Sequence, residues 1–144
     1  MKLLLIGAGN MGGAMLQGLH VKDITVVERN ASRARALQER FATLRIVNEI
    51  PCLDGYTVIL AIKPQSFGNL KTSGTAEGII SIMAGISLER LRQGIAAKYY
   101  VRAMPNMAAM VQKSATSVCG DEALKESALE ILQTIGACFW LSSE

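Results

Sequence analysis

The sequence predicts an α/β protein: an open, doubly wound, mostly parallel sheet with helices on both faces. Three observations carry that reading. Short apolar runs alternate along the whole chain with segments of helical period. The runs Leu3-Leu4-Leu5 and Thr57 to Ile62 carry no polar alternation, as strands covered on both faces require. A glycine-rich turn, Gly7-Ala8-Gly9-Asn10-Met11-Gly12, joins the first apolar run to the first helical pattern.

Taken in order, the first strand is Lys2 to Ile6, and Ala14, Met15, Leu16 and Leu19 mark a helix from Asn10 to Leu19. Ile24 to Val27 is the second strand. Ala34, Leu37 and Phe41 share one face of a helix from Ser32 to Phe41. Leu44 to Val47 makes a short third strand and Thr57 to Ile62 a central fourth, with Ile79 to Met83 as the fifth. Ser87 caps the next helix, with Arg90 where a capping box would place an acid. Tyr99 to Ala103 is the sixth strand and Ala115 to Cys119 the seventh. A helix from Asp121 to Ile135 follows, with Gly136 as its C-cap, and Ala137 to Leu141 closes the set. No repeat or linker interrupts the chain, so residues 1–144 are expected to form one domain.

Composition excludes several classes. Half of the 144 residues are apolar and 19% are charged, which suits a globular domain with a core of its own. The longest apolar runs, such as Ile79-Ile80 to Ile82-Met83-Ala84, are far too short to span a bilayer. The first strand starts at once, leaving no room for a signal peptide, and a cytoplasmic protein is expected. Cys52, Cys119 and Cys138 are odd in number and widely spaced, which favours reduced thiols over a disulfide framework or a metal site. His20, the single histidine, ends the first helix, where the helix dipole favours it. A net charge of +3, with basic residues scattered apart from Arg29, Arg33 and Arg35, and 5% aromatics give no sign of a nucleic-acid groove.

The glycine turn carries chemistry because a strand precedes it and a helix follows. Gly7 makes the tight turn, Gly9 lets a pyrophosphate approach the backbone, and Gly12 lets the helix pack on the strand. The helix start turns its free N–H groups and positive dipole end towards the phosphates. This is the dinucleotide-binding pattern of a Rossmann-type fold. In that fold the end of the second strand holds the adenosine ribose. An acid there accepts from the 2′-hydroxyl, and an arginine there suits a 2′-phosphate. The chain offers both: Glu28 is followed by Arg29, with Asn30 and Arg33 at the mouth of the next helix. Local chemistry therefore admits NAD and NADP alike.

Three further segments stand at strand ends: Ala61-Ile62-Lys63-Pro64, Met83-Ala84-Gly85, and Arg102-Ala103-Met104-Pro105-Asn106. Together with the glycine turn, and in this order along the whole chain, they closely resemble pyrroline-5-carboxylate reductase, the last enzyme of proline synthesis. The resemblance implies that Ile6, Gly7, Ala8, Gly9, Asn10 and Met11 contact the pyrophosphate, with Gly12 closing the motif. It implies that Ala61, Ile62, Lys63 and Pro64 line the nicotinamide and its ribose, with Met83, Ala84 and Gly85 near the same end. Asn48 would contact the adenosine ribose. Arg29 or Asn30 would meet the 2′-phosphate of NADPH, with Glu28 keeping NADH open. Asn106 would position substrate or nicotinamide. The implied reaction is hydride transfer from NADPH to the C=N bond of 1-pyrroline-5-carboxylate, giving L-proline, with no metal.

Two departures stand out. Where the family continues with Thr-Pro, this chain has Met107-Ala108. The resemblance implies that these 144 residues do not include the family's helical C-terminal domain, which makes its dimers and most of the substrate carboxylate pocket. The resemblance thus implies a truncated cofactor domain that does not turn over efficiently alone. Rival readings are another reductase on the same glycine motif, and a non-catalytic NAD(P)-binding sensor or regulatory module.

Overall fold

The computed structural model describes residues 1–7, 9–19, 23–105 and 113–144, with the backbone alone at Asn10. Eight strands form one sheet: β1 (Leu3–Ile6), β2 (Ile24–Val27), β3 (Arg45–Val47), β4 (Thr57–Leu60), β5 (Gly78–Ser81), β6 (Tyr100–Met104), β7 (Ser114–Gly120) and β8 (Gly136–Trp140). Their order across the sheet is β3-β2-β1-β4-β5-β6-β7-β8. Every neighbouring pair is parallel except β6 and β7. The chain winds outward from β1 to β3, then returns to place β4 on the other side of β1. That reversal opens a crevice beyond the carboxyl ends of β1 and β4, where open α/β sheets bind ligands.

Strand residues alternate between two cores. Leu3, Leu5, Ile59 and Ile80 face Met15 of α1 (Asn10–Gly18), Leu37 of α2 (Ala31–Arg40) and Ile131 of α4 (Lys125–Leu132). Leu4, Ile6, Val58, Leu60 and Ile79 face Leu91 of α3 (Leu88–Gly94) and Phe67 of a 3-10 turn over Pro64–Asn69. Apolar residues are needed on both sides, which is why β1 and β4 read as unbroken runs. Burying each such side chain contributes about 1.5–3 kcal/mol.

The elements follow the sequence reading with three differences, the first being that β5 ends at Ser81 and leaves Ile82 and Met83 outside the strand. β4 stops at Leu60, and Ala61 and Ile62 belong to the turn that leads into Pro64–Asn69. The long helix expected over 121–135 is divided into a 3-10 turn at Glu122–Leu124, α4, and a second 3-10 turn at Gln133–Ile135. Asp121 stands at the N-cap of the first of these turns, but its side chain makes no cap hydrogen bond. Its carboxylate instead accepts from the Tyr100 N–H at 2.8 Å and from Arg92 at 3.0 Å, so the first turn tightens. Gly136 ends the second 3-10 turn with φ 141° and opens β8. No helix among the described residues is long and apolar enough to cross a membrane.

The chain end is tied back onto the sheet. Glu144 Oε2 accepts from Arg102 Nη1 at 2.8 Å and from the Leu88 N–H at 2.9 Å. The Arg102 hydrogen bond, followed by that from Leu88, holds the Glu144 carboxyl below its usual 4.5. A lowered folded value means the clasp adds stability above that pH and loses it as pH falls through the folded value. Glu144→Gln is therefore expected to lower the thermal midpoint at neutral pH by roughly 1–3 °C, as a part-exposed pair allows. It should also flatten the acid limb of a midpoint-against-pH series.

Candidate functional site

The crevice begins at the turn after β1. Gly7 has φ +94°, a conformation open to glycine, and a Cβ there would lie 2.8 Å from the Ala61 carbonyl carbon and oxygen. The Ala61 N–H in turn donates to the Ile6 carbonyl at 2.9 Å, so the ends of β1 and β4 are locked together. Gly12 presses on the same turn, since its Cβ would come within 2.5 Å of the Gly7 carbonyl oxygen. Gly9 differs. Its φ of −75° suits any residue, and among the described residues an added Cβ would meet no atom within 4 Å beyond its chain neighbours. Nothing in the fold requires a glycine here, and the space beside it stays open. Gly9 is also the N-cap of α1 and offers no side chain to the first N–H groups of that helix.

From this turn a cleft of about 430 Å³ runs across the strand ends. It is lined by Ile6, Gly7, Gly9, Val27, Glu28, Arg29, Arg33, Ile50, Ala61, Ile62, Lys63, Ser66, Asn69 and Leu70. The lining includes the apolar residues Ile6, Val27, Ile50, Ile62 and Leu70 and the three cationic residues Arg29, Arg33 and Lys63. Among the described residues, neither Arg29 nor Arg33 forms an ion pair. Glu28, beside them, directs Oε2 to the Asn30 N–H at 3.1 Å, and Asn30 Oδ1 accepts the Arg33 N–H at 3.0 Å to cap α2. A shallower recess of about 440 Å³ lies across the Glu28–Arg29 ridge, bounded by Ala31, Ala34, Ile46, Val47 and Asn48.

The structure thus gathers nine residues singled out from the sequence into one cleft: Ile6, Gly7, Gly9, Glu28, Arg29, Arg33, Ala61, Ile62 and Lys63. Met11 packs against the core at the start of α1, and Pro64 opens the 3-10 turn behind Lys63. Asn30 serves as a cap, and Asn48 faces the neighbouring recess. Met83 is buried, with its N–H donating to Ser81 Oγ at 3.2 Å. Ala84 and Gly85 are exposed beyond the cleft lining. Ala8, Asn106 and the Asn10 side chain lie outside the described residues. Sequence reasoning passed over Val27, read only as part of a strand, and Ile50, Ser66, Asn69 and Leu70. A proline directly after Lys63 was the available signal for the last three, because proline favours the first position of a helical turn. Phe67 anchors that turn in the core, with the Arg90 guanidinium 4.9 Å from its ring centroid.

Residues 2–85 match the family described as NADP oxidoreductase coenzyme F420-dependent. The chain belongs to that family. The matched segment holds every residue that lines the cleft. Among members with curated names, the chain is similar to the pyrroline-5-carboxylate reductase of Helicobacter pylori. Those two are 32% identical over 155 aligned residues, covering 99% of this chain and 60% of that relative. The solved pyrroline-5-carboxylate reductase of Streptococcus pyogenes superposes with a TM-score of 0.81 at 29% identity, covering 99% of this chain and 58% of that one. The enzyme from Coxiella burnetii shares the fold, with a TM-score of 0.83 at 24% identity. The chain spans about 60% of the length of the first of these relatives. The resemblance read from the four motifs therefore holds, and the fold is that of NAD(P)-dependent oxidoreductases.

Proposed function

We propose that residues 1–144 form the NADP(H)-binding domain of an enzyme that reduces 1-pyrroline-5-carboxylate to L-proline. One observation carries the reading. A single cleft joins a glycine turn with open space at Gly9 to two guanidinium groups, Arg29 and Arg33, that no acid in the described residues neutralises. That donor set suits a dinucleotide with a central pyrophosphate and an extra phosphate on its adenosine ribose.

In this reading Gly7, Gly9 and the start of α1 hold the pyrophosphate, while Arg29 and Arg33 hold the 2′-phosphate. Ala61, Ile62, Lys63 and Pro64 flank the nicotinamide end, and Asn106, outside the described residues, is the candidate for positioning substrate or nicotinamide. When bound, NADPH supplies the hydride that reduces the ring C=N. What the chain contributes is orientation and exclusion of water on the apolar side of Ile6, Ile62 and Leu70, so no nucleophile of its own is needed. In this reading the chain provides the nucleotide half of the site, and a helical C-terminal domain of the kind the resemblance implies would supply the carboxylate pocket and the dimer contacts.

The test is product formation. Incubated with excess NADPH and 1-pyrroline-5-carboxylate, the chain should form L-proline slowly, mole for mole with NADPH consumed. NADPH binding without any proline would turn the reading towards a nucleotide-binding module.

A further inference from the structure

The turn from β2 into α2 is a capping box whose two halves come from opposite sides of the cap. Ordinarily the N-cap side chain accepts the N–H three residues on, and a Glu or Gln at that third position reaches back to the N-cap N–H. Asn30 performs its own half by accepting the Arg33 N–H at 3.0 Å. The third position, however, is Arg33, which has no acceptor to offer. Glu28 supplies it from the other side, two residues before the cap, with Oε2 on the Asn30 N–H at 3.1 Å. The same carboxylate brings negative charge to the positive end of a helix whose first turn has no acid.

From this geometry we propose that Glu28 is a positioning residue for NADPH selectivity and not a ligand of the ribose hydroxyl. By taking the acceptor role in the cap, it lets an arginine occupy the third helical position beside the cleft. The inference rests on the NADP(H) reading above. It reverses the plain expectation for an acid at the end of the second strand, which is to accept from a 2′-hydroxyl and favour NADH. Here the acid serves the backbone, and two unpaired guanidinium groups against one carboxylate leave the turn net positive.

The test compares Glu28→Gln with Glu28→Ala. Both remove the charge, and only the glutamine keeps an oxygen that can accept the Asn30 N–H. NADPH should bind the alanine variant about threefold to tenfold more weakly than the glutamine variant, the scale of a lost cap hydrogen bond. NADH affinity should differ by less than about twofold between them. Amide exchange at Asn30 should be faster in the alanine variant. Equal NADPH affinity in the two variants would overturn the inference. So would a loss of NADH affinity beyond about tenfold in both, which would put Glu28 on the ribose. Failure of the unsubstituted chain to prefer NADPH over NADH is a separate result, which would overturn the NADP(H) reading itself and the inference with it.

Discussion

Replacing Gly9 with alanine is expected to cost NADPH about tenfold to a hundredfold in affinity, or about 1.4–2.7 kcal/mol, while the chain stays folded. The asymmetry follows from where a methyl group would go. At Gly9 it meets no atom within 4 Å among the described residues other than its chain neighbours, so a ligand in the cleft is what it would obstruct. The backbone there has φ −75°, which alanine adopts freely. The stability cost is then limited to exchanging glycine for alanine at an N-cap, about 1 kcal/mol or less. Gly7→Ala is the informative contrast. There the methyl group would sit 2.8 Å from the Ala61 backbone at φ +94°. The unfavourable conformation costs about 1–2 kcal/mol, and the overpacking adds about 1–3 kcal/mol. Urea unfolding of both variants, alongside nucleotide titration, checks the pair. If Gly9→Ala loses stability but not binding, the open space beside Gly9 is not a phosphate site.

Removing both guanidinium groups, Arg29→Ala with Arg33→Ala, is expected to weaken NADPH about a hundredfold. Each arginine offers a charge-assisted hydrogen bond worth about 1.5–3 kcal/mol to a phosphate, discounted here because both side chains are exposed to solvent. NADH, which lacks the 2′-phosphate, should change by no more than about threefold. The fold should be indifferent, because neither side chain is in an ion pair among the described residues, and exposed substitutions of that kind stay within about 0.5 kcal/mol. The difference between the two nucleotides should also narrow as salt is raised, since screening acts on exposed charges. Equal losses for both nucleotides would mean that the arginines support the turn and do not read the phosphate.

Most of the fold was legible because its physics is local. Leu3-Leu4-Leu5 and Thr57 to Leu60 must face two cores at once, so they are apolar at every position or nearly so. Gly7 and Gly12 are dictated by backbone contacts within the turn they build. Strand direction is another matter: nothing in the period of 114–120 distinguishes its antiparallel pairing with β6 from a parallel one. The division of the last helix was hidden as well, because the Asp121 carboxylate is held by Tyr100 and Arg92, both distant in sequence.

The same division runs through the site. Ile6, Gly7, Gly9 and Lys63 could be found because strand-end motifs carry them. Ser66, Asn69 and Leu70 enter the cleft from a 3-10 turn too short to show a period, and Ile50 comes from a loop. Glu28 was recognised as an acid at the right place, but its direction is set by the need of the Asn30 N–H for an acceptor. Asn48 falls on the far side of the Glu28–Arg29 ridge because β3 is an edge strand that ends beside that ridge.

The most direct test is a pair of titrations of the unsubstituted chain, NADPH in one and NADH in the other, followed by nicotinamide fluorescence. The account predicts saturable, one-to-one binding of both, with NADPH tighter by about tenfold or more. Equal affinities, a preference for NADH, or no binding of either nucleotide would contradict it.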